Sequence, residues 1–298
     1  MSDNNVGIFM LSSRTKMLPT CLKYFNENVH NKYPIFVYHF DDIYNEEDKK
    51  IVRESYGGKV EFIELDYKVP VNIAPNEIYF NRNYINYSRM YFPPTRIGYL
   101  HMCNFYTWEA FERPELQKFD YLIRFDDDSW FKGDLGFDLI ERYKQAELNS
   151  DGVFCLNSYM TGKDEPVGQN RIDTREMLFR FFQYYVKSRN IDVKNEKVKK
   201  ILETNDELAF HKMGWKTDFN VWKKDTFETR EWKSWIQAVK DYGGIYKHRW
   251  GDIEIQMLYS WMYFPENSGV IDLDLKAKNL YDGHLPGYAE APKTKDVK

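Results

Sequence analysis

Residues 121–131 read YLIRFDDDSWF, and they are the most informative stretch of the chain. Its first five residues are apolar apart from Arg124, which is typical of a buried β-strand. Three adjacent carboxylates, Asp126 to Asp128, follow at the end of that strand, and like charges held this close repel each other unless a cation lies among them. Because folds with parallel strands bind ligands at the carboxyl ends of those strands, the pattern predicts a metal site at this edge of a sheet.

The chemistry of the triplet favours a hard divalent cation. Mg²⁺ and Mn²⁺ take carboxylate oxygens together with phosphate oxygens of a substrate. In an extended chain, Asp126 and Asp128 point to one side and Asp127 to the other, so the first and third residues of this Asp-x-Asp (DXD) pattern are expected to share one ion. The alternative is a solvated acidic turn, which the aromatic residues on both sides make less favourable. We predict Asp126 and Asp128 as metal ligands, with Asp126 also part of the diphosphate site.

Upstream of this strand, short apolar runs alternate with amphipathic stretches, which indicates a layered α/β sheet. The predicted elements are strands over 6–11, 35–39 and 60–65 and helices over 18–31, 46–56 and 95–111. The first three strands and the helices between them are typical of a nucleotide-binding half-domain. Residues 66–95 are rich in Asn, Tyr and Pro, and a loop of this length is expected to form part of a substrate cleft.

Downstream of the triplet, the same alternation continues to about residue 263. The predicted elements are strands over 153–156 and 218–222 and helices over 137–147, 171–188, 194–213, 230–241 and 251–263. The tail from Asp272 to Lys298 is expected to be extended and polar. Because no Gly- or Ser-rich linker and no internal repeat interrupts the chain, we expect one domain over residues 1–298.

The composition excludes several classes of protein. The 298 residues are 43% hydrophobic and 17% aromatic, which excludes global disorder, collagen and coiled coil. The formal net charge of −4 offers no basic footprint for nucleic acid. Three widely spaced cysteines form neither a disulfide framework nor a CxxC zinc site, and are expected to be buried in a reducing compartment. They are Cys21, Cys103 and Cys155.

The sequence predicts neither a membrane-spanning segment nor a signal sequence in these 298 residues. No stretch approaches the roughly 20 apolar residues that span a bilayer, and the first strand begins almost at Met1. We expect a soluble protein of the cytoplasm, which includes a viral protein in its host's cytoplasm, or a secretory-pathway protein whose anchor was removed.

Two blocks of sequence carry a family resemblance. The first is GYLHMCNFYTWEAFERPELQKFDYLIRFDDDSWF over 98–131, and the second is DFNVWKKDTF over 218–227 with YGGIYKHRWGDIEIQML over 242–258. The first resembles the YRHMCRF-like helix, the hPLL.KYDYYWR stretch and the acidic turn of the fungal α-1,2-mannosyltransferases, glycosyltransferase family 15. The second is similar to the NFEI and ERWGDAPVHSIA blocks of that family. The likeness covers about residues 75–290.

The resemblance implies a GT-A fold, a mixed central sheet flanked by helices. A Rossmann-like nucleotide half would occupy about 1–135 and an acceptor half about 136–298. It also implies a nucleotide-sugar donor, which is GDP-mannose in the family, a glycan hydroxyl as acceptor, Mn²⁺ (or Mg²⁺) as cofactor, and retention of configuration. Residues 126–128 stand where the family has Glu-Pro-Asp. His284 of YDGHLPGY stands where a histidine completes the metal site of the family, so the resemblance implies that His284 is a ligand.

Further residues are expected to contact the donor. Ser12 and Arg14 follow the first strand and Asp41 follows the second, at positions that commonly touch base and ribose. Arg96 and Tyr99 lie three residues apart and share a face of the helix whose family counterpart faces the nucleotide. Arginine suits phosphate because its planar fork binds two oxygens, although an ordinary amphipathic helix start also explains Arg96.

One departure from the family concerns the acceptor side. The glutamate of NFEI, the candidate nucleophile of the family, corresponds to Asn220, and an amide cannot act as a carboxylate nucleophile or base. Either the acceptor attacks from the front face with the leaving diphosphate as base, or another carboxylate takes over, or the reaction inverts configuration. Asp252 and Glu254 of RWGDIE are the first candidates for a base and Asp218 is the third. Asp252 also suits a helix N-cap, and the two roles are compatible.

The sequence therefore predicts a metal-dependent glycosyltransferase that moves a hexosyl group from a nucleotide-sugar to a glycan hydroxyl, with mannosyl from GDP-mannose favoured. Asn220 motivates the alternative of a catalytically silent carbohydrate-binding relative. A nucleotidyl or phosphoryl transferase that uses the same aspartates ranks third.

Overall fold

The computed structural model describes residues 5–29, 32–40, 43–66, 68–79, 97–158, 169–212, 218–266, 268–283 and 285. The strands within these ranges are β1 (Val6–Leu11), β2 (Ile35–Phe40), β3 (Val60–Leu65), β4 (Tyr121–Phe125), β5 (Trp130–Phe131), β6 (Cys155–Asn157), β7 (Phe219–Lys223), β8 (Val270–Asp272) and β9 (Tyr281–Asp282). The helices are α1 (Leu18–Asn28), α2 (Glu46–Tyr56), α3 (Ile97–Asn104), α4 (Ala110–Glu112), α5 (Leu139–Leu148), α6 (Gln169–Ser188), α7 (Glu196–Thr204), α8 (Glu207–Lys212), α9 (Arg230–Tyr242), α10 (Gly244–His248) and α11 (Asp252–Tyr263).

Seven of the strands described form one mixed sheet, in the order β3-β2-β1-β4-β7-β6-β8. The first four strands in this order are parallel, whereas β7 runs antiparallel to β4 and β6. As a result, the carboxyl ends of β1, β2, β4 and β6 meet the amino end of β7 at one edge of the sheet. The acidic triplet follows β4 at this edge, as the sequence predicted.

The helix α2 begins and ends where local side-chain and backbone chemistry favours it. At the start of α2, the side chain of Asn45 accepts a hydrogen bond from the backbone N–H of Asp48 at 2.9 Å. The helix ends at Gly57, whose φ of 66° is the left-handed conformation that glycine adopts most easily. The predicted strand–helix–strand–helix–strand order is therefore confirmed over residues 6–65.

The core lies on both faces of the sheet and is rich in aromatic side chains. On one face, Phe9 stacks on Trp222 with ring centroids 6.3 Å apart. On the other face, Phe25 packs edge-on against Phe125 at 5.1 Å. The cysteines at 21, 103 and 155 are buried and unbridged, as the sequence predicted.

The helix predicted over 95–111 is interrupted. After α3, residues Phe105–Glu109 form a π-helical turn before α4. The hydroxyl of Thr107 donates to the carbonyl oxygen of Cys103 at 2.6 Å. The wider turn directs Phe105, Tyr106 and Trp108 into the core together. Such turns recur at functional sites, and Tyr106 belongs to the candidate site described below.

The prediction of one helix over 194–213 is wrong. The helix is interrupted between α7 and α8 at Asn205, which adopts a left-handed φ of 53°. Asp206 then starts α8 by accepting a hydrogen bond from the backbone N–H of Ala209 at 2.9 Å. Asparagine tolerates the left-handed conformation, and aspartate is favoured at a helix start. These two local preferences outweigh the helical pattern that continues through this part of the sequence.

The expectation of an extended polar tail from residue 272 is also wrong for the part that is described. Leu273, Leu275 and Tyr281 are buried. The strand β9 pairs antiparallel with β5, so Tyr281 lies opposite Phe131. This pairing places β9 close to the acidic turn, because β5 directly follows that turn. None of the described helices combines the length and the apolar character that a membrane crossing needs.

Candidate active site

The acidic triplet forms a turn rather than an extension of β4. The strand ends at Phe125, and the backbone N–H of Ser129 donates to the carbonyl oxygen of Asp126 at 3.0 Å. The three aspartates therefore do not continue the extended strand on which the expected alternation of side chains was based. Each of the three aspartates has its own surroundings.

Asp127 is buried and holds the loop that follows β1. Its Oδ2 accepts hydrogen bonds from Ser12 Oγ at 2.8 Å, from the Ser13 backbone N–H at 3.0 Å and from the Arg14 backbone N–H at 3.1 Å. The Arg14 guanidinium pairs with Oδ1. Burial raises the pKa of the Asp127 carboxyl, and Arg14 opposes that shift. Asp127 thus brings Ser12 and Arg14, two predicted donor contacts, beside the acidic turn.

Replacing Asp127 with asparagine is expected to lower the free energy of unfolding by about 2 kcal/mol, because the amide cannot accept all of these hydrogen bonds and carries no charge. Urea denaturation followed by tryptophan fluorescence measures the change. The matched control is Asp138→Asn, since Asp138 accepts backbone hydrogen bonds at the start of α5 and asparagine serves that position equally well. If Asp127→Asn lowers the free energy of unfolding no more than Asp138→Asn does, the result would contradict the role of Asp127 in holding the loop that follows β1.

Asp126 is bound to Arg124, the last charged residue of β4. Arg124 Nε donates to Asp126 Oδ1 at 3.0 Å, and a second nitrogen of the guanidinium pairs with Asp252. The ring of Tyr106 covers the guanidinium, with Cζ 3.5 Å from the ring centroid. Burial disfavours the cation, but Asp126 and Asp252 outweigh it and raise the pKa of Arg124, which stays charged.

Asp128 is the last aspartate of the turn. Its side chain is 14% exposed, and a guanidinium nitrogen of Arg14 lies 3.4 Å from its Oδ2. The backbone N–H of Leu285 donates to the carbonyl oxygen of Asp128 at 2.8 Å. The C-terminal segment thus touches the acidic turn directly.

Gly283 approaches the carboxylate of Asp218 so closely that a Cβ at position 283 would overlap Asp218 Oδ2. Asp218 lies just before β7, and its carbonyl oxygen accepts from the Asp126 backbone N–H at 2.9 Å. Ser158 Oγ donates to Asp218 Oδ1 at 3.2 Å. Asp218 therefore joins the acidic turn, the end of β6 and the C-terminal segment.

Three residues predicted for the site lie outside the described residues: Asp41, Arg96 and His284. Within the described ranges, no group of three or more histidine, cysteine, aspartate or glutamate side chains is arranged to hold a metal ion. The acidic turn carries two carboxylates of the chemical kind that hard cations prefer, Asp126 and Asp128, at the edge of the sheet where such folds bind ligands. Their chemistry fits a divalent cation, whose remaining ligands would have to come from a bound diphosphate and from elsewhere in the chain.

The carboxylates of the RWGDIE motif are both held by buried arginines. Asp252 does not cap α11, because Gly251 is the N-cap, and its carboxylate pairs with Arg124 instead. Burial raises the pKa of the Asp252 carboxyl, and Arg124 opposes that shift. Glu254 accepts from Arg175 Nε at 3.0 Å.

The other two predicted residues, Asn220 and Tyr99, lie on a strand and on a helix. Asn220 is fully buried in β7, directly opposite Arg124 of β4. Tyr99 of α3 lies under the guanidinium of Arg249, 4.5 Å from its ring centroid. The sequence did not single out Arg124, although a charged residue inside an apolar strand and next to acidic residues is a signal that would have found it.

The comparisons with known proteins agree with this architecture. A family model described as glycolipid 2-alpha-mannosyltransferase matches residues 6–268. Probable mannosyltransferase KTR3 of Saccharomyces cerevisiae is 18% identical over 279 residues, which cover 91% of this chain and 63% of that relative. O-glycoside alpha-1,2-mannosyltransferase homolog 5 of Schizosaccharomyces pombe is 21% identical over 287 residues, 84% of this chain and 64% of the relative. The chain thus spans less than two thirds of the length of these curated relatives.

Solved structures show the same fold. The Mn/GDP form of core-mannan synthase A from Aspergillus fumigatus has a TM-score of 0.71 at 14% identity, and the match covers 94% of this chain and 75% of that one. The mannosyltransferase Ktr4p of S. cerevisiae in complex with GDP has a TM-score of 0.69 at 17% identity, covering 90% and 68% of the two chains. These likenesses confirm the predicted GT-A fold. With a family model that matches most of its length, the chain belongs to the glycolipid 2-alpha-mannosyltransferase family.

Proposed function

We propose that this protein is a metal-dependent mannosyltransferase that moves a mannosyl group from GDP-mannose to a hydroxyl of a glycan. The observation that carries the proposal is the acidic turn of Asp126 and Asp128 at the ligand-binding edge of a sheet in a member of this family. Two related structures contain GDP, and one of them also contains manganese. The proposal keeps the predicted division into a donor half, 1–135, and an acceptor half, 136–298. The hydrogen-bonded pairing of β4 with β7 joins these two halves in one sheet, which supports one domain over residues 1–298.

The metal would be held by Asp126, Asp128 and His284. Support for His284 comes from its two neighbours in sequence, because Gly283 abuts Asp218 and the Leu285 backbone N–H donates to Asp128. When bound, Mn²⁺ supplies positive charge that stabilises the departing diphosphate. The chain's own contribution is to hold both carboxylates on one turn, with Arg124 bound to Asp126 and Arg14 beside Asp128.

The donor diphosphate would lie against the loop that follows β1. The Arg14 side chain is 35% exposed and lies between Asp127 and Asp128. Burial opposes its charge, but the two aspartates outweigh burial and raise the pKa of Arg14, so a cation is available to phosphate oxygens at every working pH. Ser12, Asp41, Arg96 and Tyr99 stay predicted donor contacts.

We infer that Asp218 is the carboxylate that acts as general base on the acceptor side. Asp252 and Glu254 are already paired with buried arginines, and Asn220 has no carboxylate. Positions 218 and 220 lie on the same face of an extended chain, two residues apart. Asp218 is the one nearer the acidic turn, because its backbone is hydrogen-bonded to Asp126.

Replacing Asp218 with asparagine is expected to lower kcat about 100-fold with little change in the KM for GDP-mannose, because a general base acts in the chemical step. Steady-state assays at saturating acceptor measure both constants. The control is Asp225→Asn, beyond the opposite end of β7, which should leave both unchanged. Full activity of Asp218→Asn would instead favour front-face attack with the leaving diphosphate as base.

The function itself is tested with a panel of nucleotide-sugars, including GDP-mannose and UDP-glucose, offered with a mannoside acceptor and either Mn²⁺ or EDTA. The expected result is acceptor-dependent release of GDP that requires Mn²⁺. Release of pyrophosphate or phosphate would contradict the proposal and indicate nucleotidyl or phosphoryl transfer. Calorimetry that shows mannoside binding without any GDP binding would contradict it in favour of a carbohydrate-binding relative.

A further inference from the structure

Arg124 is enclosed by groups from three separate elements. Its side chain is 2% exposed, and Nε and Nη2 approach the two carboxylate oxygens of Asp126 at 3.0 and 3.4 Å. Nη1 donates to Asp252 of α11, and the ring of Tyr106 covers the flat face of the guanidinium. A guanidinium bound along both edges and covered on one face has very little freedom to move.

The supporting groups are in turn held by one another. Asp252 lies in the first turn of α11, where the helix dipole favours a carboxylate. One turn later, Gln256 Nε2 donates to the carbonyl oxygen of Tyr106 at 2.9 Å. The π-helical turn that contains Tyr106, the strand that contains Arg124 and the start of α11 therefore form one hydrogen-bonded unit.

The charges of this unit do not balance. One guanidinium faces two carboxylates, so the acidic groups outnumber the cation by one. Asp252 is 4% exposed, whereas the Asp126 side chain is 26% exposed. Because Asp252 takes part of the guanidinium's charge, Asp126 keeps negative charge at the surface of the cluster, where a cation can approach it.

We propose that Asp252 and Arg124 are positioning residues for the metal ligand Asp126, and that Asp252 is not the base of the reaction. This inference rests on the proposed function, since it needs a cation at the acidic turn. Arg124 fixes the direction of the Asp126 carboxylate, and Asp252 prevents Arg124 from neutralising it. Replacing groups that orient a metal ligand typically weakens metal binding about 10- to 100-fold.

The test is the affinity for Mn²⁺ in the presence of GDP, measured by calorimetry on the full chain. Asp252→Asn is expected to weaken Mn²⁺ binding about tenfold, because Arg124 then pairs with Asp126 alone. The matched control is Asp138→Asn, at the start of α5, which should bind Mn²⁺ as the wild type does. Unchanged Mn²⁺ affinity of Asp252→Asn with a large loss of kcat would overturn the inference and restore Asp252 as a candidate base.

Two further variants make every outcome decisive. Asp126→Asn should remove most Mn²⁺ binding, and wild-type Mn²⁺ affinity in this variant would contradict the proposed metal site. If Asp126→Asn loses Mn²⁺ affinity but Asp252→Asn does not, only the positioning role of Asp252 and Arg124 is overturned. Should Asp252→Asn not fold, Arg124→Lys keeps the buried charge but lacks the fork that reaches both carboxylates. It is expected to weaken Mn²⁺ binding similarly, and wild-type affinity in that variant would overturn the inference.

Discussion

Asparagine at both positions 126 and 128 is expected to lower kcat/KM for mannosyl transfer about 1,000-fold, a loss of ~4 kcal/mol of transition-state stabilisation. The amide side chains keep the size of the carboxylates but lose the charge that a divalent cation needs. Both side chains are partly exposed, so the fold should tolerate the change. The rate of GDP release from GDP-mannose with saturating acceptor and Mn²⁺ measures the effect.

The matched control for this double variant is Asp120→Asn with Asp225→Asn. These two aspartates flank the opposite ends of β4 and β7, so the control removes the same charge at the same two strands, away from the acidic turn. We expect wild-type turnover from the control. Unchanged turnover after substitution of Asp126 and Asp128, with an unchanged melting temperature, would reject the metal role of the turn.

The second large effect is expected on stability. Arg124→Met should lower the free energy of unfolding by about 3–5 kcal/mol, because it leaves Asp252 buried without its cation. Methionine is of similar length and packs well beside Tyr106, so the change reflects the lost charge more than a cavity. Urea denaturation followed by the fluorescence of the eight tryptophans measures it.

The companion variant combines Arg124→Met with Asp252→Leu. Replacing both partners of a buried ion pair by apolar side chains is often neutral, so the double variant should recover much of the stability lost by Arg124→Met alone. A loss below about 1 kcal/mol in Arg124→Met would contradict a buried pair of this importance. So would a double variant that is no more stable than the single one.

The local pattern of the sequence predicted the sheet well. Apolar runs located β1, β3 and β4, and Gly57 marked the end of α2 because glycine adopts the left-handed conformation there. The prediction was less accurate where two local signals compete, as at Asn205, which breaks a continuous helical pattern. The tail was misjudged because Leu273 and Tyr281 are separated by polar residues, and only the pairing of β9 with β5 shows that they are buried.

The sequence predicted the position of the acidic turn after β4, but not the partners with which its side chains pair. Three adjacent aspartates marked the turn, yet their separate surroundings depend on partners far along the chain. Asp127 lies 113 residues from Arg14, and Arg124 lies 128 residues from Asp252. No periodicity in one sequence reports such contacts, so the burial of Asp127 and the pairing of Asp252 emerged only from the fold.

The metal role of Asp126 and Asp128 is tested most directly by a crystal structure of the protein with Mn²⁺ and GDP, with the ion located by its anomalous scattering. We expect one Mn²⁺ peak within coordination distance of the Asp126 and Asp128 carboxylates and of the GDP diphosphate. A Mn²⁺ ion bound elsewhere, or GDP bound while both carboxylates point into solvent away from it, would contradict this role.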